Sequence, residues 1–143
     1  MAIDYFKLAS LIADASKDPK YQVGAIILDK HGNIRSTGYN GAPRGVKDLS
    51  ERYCKPFKQH YIAHAEENAI AQAARTGVST DECSMVIWGK MPCATCVRMI
   101  IQAGISRVIF QPSDISQSSY KESFLAARDM LDEADISVVY IGE

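Results

Sequence analysis

No stretch of this sequence is apolar over the roughly 20 residues that a membrane-spanning helix requires. The sequence also lacks an excess of positive charge, because 16 Lys and Arg residues are offset by 17 Asp and Glu residues, for a formal net charge of -1. Without a basic excess, we expect no binding to long nucleic acids. Residues 1–5 lack the basic and apolar regions of a secretory signal peptide. These absences predict a cytoplasmic protein with no membrane partner.

Cysteine is scarce, with four residues among 143. Cys93 and Cys96 form a Cys-x-x-Cys pair, and the two remaining thiols, Cys54 and Cys83, fit a reducing, cytosolic compartment best. The length and a hydrophobic content of 47% suit an ordinary domain with a substantial core. We therefore expect a single domain over residues 1–143.

The apolar pattern predicts a chain in which helices and strands alternate. Helices are predicted over residues 3–15, 62–76, 93–103 and 120–132, and strands over 23–28, 34–39, 85–88, 108–110 and 136–141. Long irregular segments are predicted over 40–58 and 111–119. This order indicates one mixed sheet with helices on both faces.

Two short motifs supply the side chains of a metal site. His64 opens one predicted helix, and Cys93 and Cys96 follow Pro92 at the start of the next. One His and two Cys form a three-ligand zinc set, which leaves the fourth tetrahedral position open, as in catalytic zinc sites. On a helix the two Cys share a face, and Pro92 suits the first turn, where the helix dipole favours thiolates. The alternative is a fortuitous Cys pair in the core and a surface His.

Glu66 lies two residues after His64, close to the predicted metal ligand. His-x-Glu followed by Pro-Cys-x-x-Cys is the signature of zinc nucleobase deaminases. In that chemistry zinc makes water nucleophilic near neutral pH. Glu66 would then take the water's proton, protonate the ring nitrogen beside the attacked carbon and protonate the leaving amine. The alternative is an ordinary first-turn acid, which the helix dipole favours.

Further segments extend the similarity beyond the zinc motifs. They are Ser16-Lys17-Asp18-Pro19, Gln22-Val23-Gly24-Ala25, Gly38-Tyr39-Asn40-Gly41-Ala42-Pro43-Arg44-Gly45, His64-Ala65-Glu66-Glu67-Asn68-Ala69-Ile70 and Ile101-Gln102-Ala103-Gly104-Ile105. With them, nearly the whole chain resembles the deoxycytidylate (dCMP) deaminases of the cytidine deaminase superfamily. The zinc motifs are specific only to the superfamily, whereas the loop over residues 38–45 points to dCMP. The compact tail resembles phage-encoded members, for which the location would be the host cytoplasm.

This resemblance implies a fold and an activity. The implied fold is a three-layer α/β/α sandwich around a mixed, about five-stranded sheet. The implied reaction is the zinc-dependent hydrolysis of dCMP to dUMP and ammonia, with one Zn²⁺ per chain, in a pathway that supplies dTTP synthesis.

The resemblance also implies substrate contacts. Asn40 would hydrogen-bond the deoxyribose, and the Ala65 backbone N–H would hold the base carbonyl oxygen. Two loops would reach the 5′ side of the substrate, and their candidate residues are Ser16, Lys17, Ser113 and Tyr120. Other interpretations stay open. Asn40 could be an ordinary turn residue, Lys17 a solvated surface charge, and Tyr120 a residue that starts the last helix and packs there.

Members of the family are allosteric hexamers that dCTP with a divalent cation activates and dTTP inhibits. The resemblance therefore implies a homohexamer with Mg²⁺ accompanying the triphosphate effector. The candidate effector site is the loop of Gly41, Ala42, Pro43, Arg44, Gly45, Lys47 and Asp48. The alternative is a flexible surface loop.

Some interpretations remain open at this stage. Cys54 and His60 raise the possibility of a second zinc, but a closed site needs four ligands and no further pair lies nearby. A related zinc deaminase acting on tRNA adenosine or a free base would share the same zinc motif. A catalytically inactive zinc protein that serves as an interaction module is the alternative from a different functional class.

Overall fold

A computed structural model describes residues 2–142. The α-helices are α1 (Tyr5–Ala13), α2 (Lys58–Tyr61), α3 (Ala65–Thr76), α4 (Ala94–Gln102) and α5 (Lys121–Glu133), and Ser50–Tyr53 form a 3-10 helix. The strands are β1 (Gly24–Leu28), β2 (Ile34–Tyr39), β3 (Ser84–Trp88), β4 (Arg107–Phe110) and β5 (Ser137–Tyr140). None of the helices within this range is both long and apolar enough to span a bilayer.

The five strands form one mixed sheet in the order β2-β1-β3-β4-β5. β1 is antiparallel to β2 and β3, whereas β3, β4 and β5 are parallel to one another. Alternate residues of β1 face opposite sides, so Ile26 packs with Ala9 of α1 and Ile27 packs with residues of α3, α4 and α5. The prediction of a three-layer α/β/α sandwich with a mixed five-stranded sheet is therefore confirmed.

The segments that carry most of the predicted site residues meet at one end of this sheet. The first residue of β1, Gly24, pairs with the last residues of β2 and β3, Tyr39 and Trp88. The segments that precede β1 and follow β2 and β3 consequently meet at the same end of the sheet. Helix α4 starts there as well, because only five residues separate it from β3.

Helix α3 lies unusually close to β2, and the sequence explains why. Gly38 of β2 has no side chain, and a Cβ at that position would collide with the backbones of Ala65 and Ala69. Both of those helix residues are themselves fully buried alanines. The small residues on each side let the N-terminus of α3 settle against the sheet, which fixes the position of His64.

Two predicted boundaries are wrong. The segment over residues 40–58 was expected to be irregular, but it contains the 3-10 helix and reaches α2. The helix predicted from residue 62 begins at Ala65, because Ala63 exchanges two backbone hydrogen bonds with Gly41, at 3.0 and 2.9 Å. That bridge holds the chain extended immediately before the candidate metal ligand His64.

Candidate active site

The structure brings the three predicted metal ligands together. His64 caps α3, Cys93 caps α4, and Cys96 lies in the first turn of α4. Their ligand atoms lie within 4.8 Å of one another, with His64 Nδ1 3.2 Å from Cys96 Sγ and 3.5 Å from Cys93 Sγ. Pro92 precedes the cap and lies two residues before Ala94, the first residue of α4, so the expectation that it lies in the first turn is wrong.

The protonation of the two thiols suits a divalent cation. A hydrogen bond from the Cys96 thiol, aided by His64, lowers the pKa of Cys93 to about 4 against the opposing effect of burial. The same hydrogen bond and burial raise the pKa of Cys96. One thiolate therefore forms readily, and the cluster retains a proton that a metal ion would displace. The donor set of one imidazole and two thiolates fits Zn²⁺ with an open position.

Glu66 is buried beside these ligands, with only 4% of its surface exposed. Burial disfavours the charged carboxylate and raises its pKa to about 7. The neighbouring Glu67 has a different role, since its carboxylate accepts a hydrogen bond of 3.0 Å from the His64 backbone N–H. A carboxyl with a pKa of about 7 suits the predicted proton transfer by Glu66, whereas Glu67 holds the backbone of His64, the predicted metal ligand.

Asn40 is buried in a polar network at the same end of the sheet. Its Oδ1 accepts a hydrogen bond from the Val23 N–H at 2.9 Å, and its Nδ2 donates to Tyr21 O at 2.8 Å. Ser16, also buried, donates from Oγ to the Asn40 carbonyl at 2.8 Å. Both predicted substrate residues therefore have structural partners, and the remaining acceptor capacity of Asn40 Oδ1 is available to a ligand.

Asp18 organises this network, and sequence analysis assigned it no role. It is 1% exposed, accepts backbone hydrogen bonds from Lys20 and Tyr21, lies 3.4 Å from Asn40 Nδ2 and forms an ion pair with Lys58. Burial raises the pKa of Asp18, but these hydrogen bonds, led by that of Lys58, outweigh burial and lower it. The available signal was the position of Asp18 directly before Pro19, in the turn that follows α1.

The other predicted 5′-side residues lie at exposed positions. Lys17 pairs with Asp48 at 3.0 Å. The Ser113 N–H donates to Met91 Sδ at 3.1 Å, so the loop after β4 returns toward α4. Tyr120 caps α5 and is 44% exposed.

The candidate effector loop contacts both sides of the site. Asp48 accepts a hydrogen bond of 2.6 Å from the Tyr53 hydroxyl in addition to its ion pair with Lys17. Arg44 donates to Gln72 Oε1 of α3 at 2.7 Å. The loop therefore contacts Lys17, a predicted phosphate ligand, through Asp48, and it contacts α3, the helix that follows His64, through Arg44.

No second metal cluster appears within residues 2–142. The ligand set of His64, Cys93 and Cys96 is the only group of three or more potential ligands in that range. Cys54 is exposed and unpaired, and Cys83 is buried. The structure therefore supplies no partners for the Cys54 and His60 pair.

Comparison with known proteins agrees with this geometry. A family model described as the cytidine and deoxycytidylate deaminase zinc-binding region matches residues 2–111. A deoxycytidylate deaminase of Pongo abelii is 38% identical over 141 residues, which cover 94% of this chain and 76% of that protein. A deaminase of Aliivibrio fischeri, described as uncharacterized and encoded in the luxG 3′ region, is 37% identical over 96% of this chain and 90% of its own length.

A solved structure extends the similarity to three dimensions. The dCMP deaminase of the cyanophage S-TIM5, in complex with dCMP and dUMP, superposes with a TM-score of 0.75 at 27% identity. The match covers 96% of this chain and 93% of the phage chain.

Proposed function

This chain belongs to the cytidine and deoxycytidylate deaminase family of hydrolytic enzymes, and we propose on that premise that it converts dCMP and water to dUMP and ammonia. The observation that carries the proposal is the His64, Cys93 and Cys96 cluster with a buried Glu66 beside it. Relatives named deoxycytidylate deaminase match over more than nine-tenths of the chain, which favours dCMP over a tRNA or free-base substrate.

We infer that the cluster holds one Zn²⁺, which supplies a Lewis acid that makes water nucleophilic near neutral pH. The chain's own contribution to the chemistry is proton transfer by Glu66. Its carboxylate takes a proton from the attacking water and delivers it to the ring nitrogen beside the attacked carbon. It then takes the remaining proton of the added hydroxyl and delivers it to the departing amine, so both protons of the water are transferred through Glu66. A pKa of about 7, raised by burial, lets the same group accept and donate protons at neutral pH.

The substrate contacts that we propose from the family lie at the same end of the sheet. The deoxyribose hydroxyl donates to Asn40 Oδ1, which accepts only the Val23 N–H among residues 2–142. Ala65 is the first residue of α3, so its N–H has no acceptor within the helix and is available to the base carbonyl. The loops that carry Ser16 with Lys17 and Ser113 with Tyr120 flank the 5′ side.

The wild-type enzyme should deaminate dCMP far more efficiently than deoxycytidine. Charge-assisted hydrogen bonds to a phosphate are worth about 1.5–3 kcal/mol each, or roughly 10- to 150-fold in affinity. We therefore expect kcat/KM for dCMP to exceed that for deoxycytidine by at least about 100-fold. Lys17→Ala should reduce this ratio without lowering activity on deoxycytidine, as measured by steady-state ammonia release. Equal turnover of both compounds by the wild type would rule out the monophosphate assignment.

We also propose that nucleoside triphosphates regulate the enzyme, which would act as a cytoplasmic homohexamer supplying dTTP synthesis. The effector would bind with Mg²⁺ at the loop over residues 41–48. Two contacts support coupling to the substrate: Asp48 pairs with Lys17, and Gly41 bridges Ala63 directly before His64. A shift of this loop would move both the phosphate side and the metal side of the site.

We expect sigmoidal saturation by dCMP, with half-saturation lowered by dCTP and Mg²⁺ and raised by dTTP. Allosteric couplings are typically about 1–3 kcal/mol, or roughly 5- to 150-fold in affinity. Arg44→Ala should reduce the shifts in half-saturation that dCTP and dTTP cause. It should preserve activity at saturating dCMP, because Arg44 lies outside the catalytic cluster. Arg75→Ala is a matched control, since it removes an exposed arginine from α3 without touching the loop. Hyperbolic dCMP saturation curves that do not change with millimolar dCTP or dTTP would show that the enzyme is not regulated by these nucleotides.

A further inference from the structure

Lys90 is a half-buried cation surrounded by aromatic rings near the metal centre. Its Nζ lies 4.5 Å from the ring centroid of Tyr21, 5.3 Å from that of Tyr120 and 5.8 Å from that of Phe124. Within residues 2–142 no carboxylate forms an ion pair with Lys90. Burial lowers its pKa, as expected for a cation that loses water without gaining a counter-charge.

The fold places Lys90 there through two tight contacts. Gly89 adopts a φ of +106°, and a Cβ at that position would collide with the backbone carbonyl of Gln22. The segment after β3 therefore runs directly against the segment before β1, which carries Tyr21. On the other side, Ser123 Oγ accepts a hydrogen bond of 3.0 Å from the Ala94 N–H, which joins the first turns of α4 and α5.

The other lysines near the Tyr21 ring differ from Lys90. Lys58 lies 5.4 Å from the Tyr21 ring but is already paired with buried Asp18. Lys20 lies 5.2 Å from the same ring and is exposed. Lys90 alone among these three combines partial burial with the lack of an ion pair, so an entering anion would neutralise it at little extra cost in desolvation.

Lys90 lies near the metal ligands, because it is close to Cys93 in the chain and the charge of Cys93 acts on it. Lys90 precedes Cys93 by three residues, and three residues of extended chain span at most about 11 Å. This upper limit is compatible with a nucleotide whose base lies at the metal cluster and whose 5′-phosphate reaches Lys90. Tyr21 and Tyr120, which contact Lys90, are 42% and 44% exposed, so this cluster borders solvent.

We propose that Lys90 is a specificity-determining residue that binds the 5′-phosphate of the nucleotide substrate. This inference rests on the proposed function, because it assumes that the base occupies the cluster of His64, Cys93 and Cys96. It adds to the 5′-side loops a cation that the Tyr21 and Tyr120 rings hold in place. The nucleoside without a phosphate would leave Lys90 unpaired and gain nothing from it.

Equilibrium binding of the product separates this inference from turnover. Isothermal titration calorimetry would compare dUMP with deoxyuridine on zinc-loaded wild type, Lys90→Met, Lys90→Arg and Lys20→Met. Lys90→Met retains an apolar chain against the rings and removes the charge, whereas Lys90→Arg retains the charge. Lys20→Met is the matched control, because it removes an exposed cation from the same Tyr21 ring.

Lys90→Met should weaken dUMP binding by about 10- to 100-fold while changing deoxyuridine binding by less than about 3-fold. Lys90→Arg should recover most of the loss, and Lys20→Met should change either affinity by less than about 3-fold. Equal losses for dUMP and deoxyuridine, or a loss of zinc in Lys90→Met, would show a merely structural role and overturn the inference.

The proposed function is judged separately, by dCMP turnover in the same wild-type preparation. If the wild type deaminates dCMP and Lys90→Met retains the full preference for dUMP, the inference fails and the function stands. If the wild type does not turn over dCMP yet binds dUMP in a manner that depends on Lys90, the function fails and the phosphate site stands. A wild type that does not bind dUMP more tightly than deoxyuridine overturns the phosphate site.

Discussion

Glu66→Ala should abolish deamination of dCMP while the protein still binds about one zinc ion per chain. Glu66 is buried beside the predicted metal ligands, yet it is not one of them, because the converging donor atoms belong to His64, Cys93 and Cys96. A single positioned acid or base contributes about 10²- to 10⁴-fold, and Glu66 is assigned several proton transfers. We therefore expect kcat to fall by at least about 10⁴-fold.

Zinc content by elemental analysis and ammonia release on the same preparation test this assignment together. Glu66→Gln is the size-preserving companion variant, which retains hydrogen bonding but cannot take up a proton at neutral pH. It should be as inactive as Glu66→Ala and equally zinc-loaded. Loss of zinc in either variant would indicate that Glu66 is a zinc ligand. Retention of activity in Glu66→Gln would contradict its role in proton transfer.

The second large effect concerns Cys93→Ser and Cys96→Ser, which should both lose zinc and become less stable. A metal that binds only the folded state stabilises it by about 4 kcal/mol at a thousandfold excess over Kd. For a chain of this size, about 2–4 °C of Tm corresponds to each kcal/mol, so we expect a decrease on the order of 10 °C. Thermal unfolding of the zinc-loaded wild type and both variants gives the measurement.

Cys54→Ser is the control for the cysteine variants, because Cys54 is exposed and lies outside the ligand cluster. It should retain one zinc per chain and the wild-type Tm. A wild type with two zinc ions per chain that falls to one in Cys54→Ser would contradict the single-site account. It would then identify Cys54 as a ligand of a second zinc.

Much of this fold could be predicted because its signals are local. The buried strand β1 has a continuous apolar sequence that ends at the turn over residues 30–33, and the zinc motifs have fixed short spacings. Such spacings predict which side chains share a helix start, and the structure brings His64, Cys93 and Cys96 together as expected. Family membership likewise favours a deaminase over a non-catalytic zinc module.

The errors and omissions arise where distant segments decide the outcome. The start of α3 depends on the bridge between Ala63 and Gly41, which no local propensity encodes. The role of Asp18 requires Lys58, 40 positions away in the sequence, to complete its ion pair. No local pattern marks Lys90, because the rings around it belong to Tyr21 and Tyr120, which are distant from it in the sequence. Periodicity describes one element at a time and therefore could not reveal these contacts.

The measurement that most directly tests the central claim is ammonia release from dCMP by the zinc-loaded wild-type protein, with and without dCTP and Mg²⁺. We expect one ammonia and one dUMP for each dCMP consumed, with activity lost in Glu66→Ala. A fully zinc-loaded protein that releases no ammonia from dCMP under either condition, but does so from cytidine, guanine or tRNA, would contradict it.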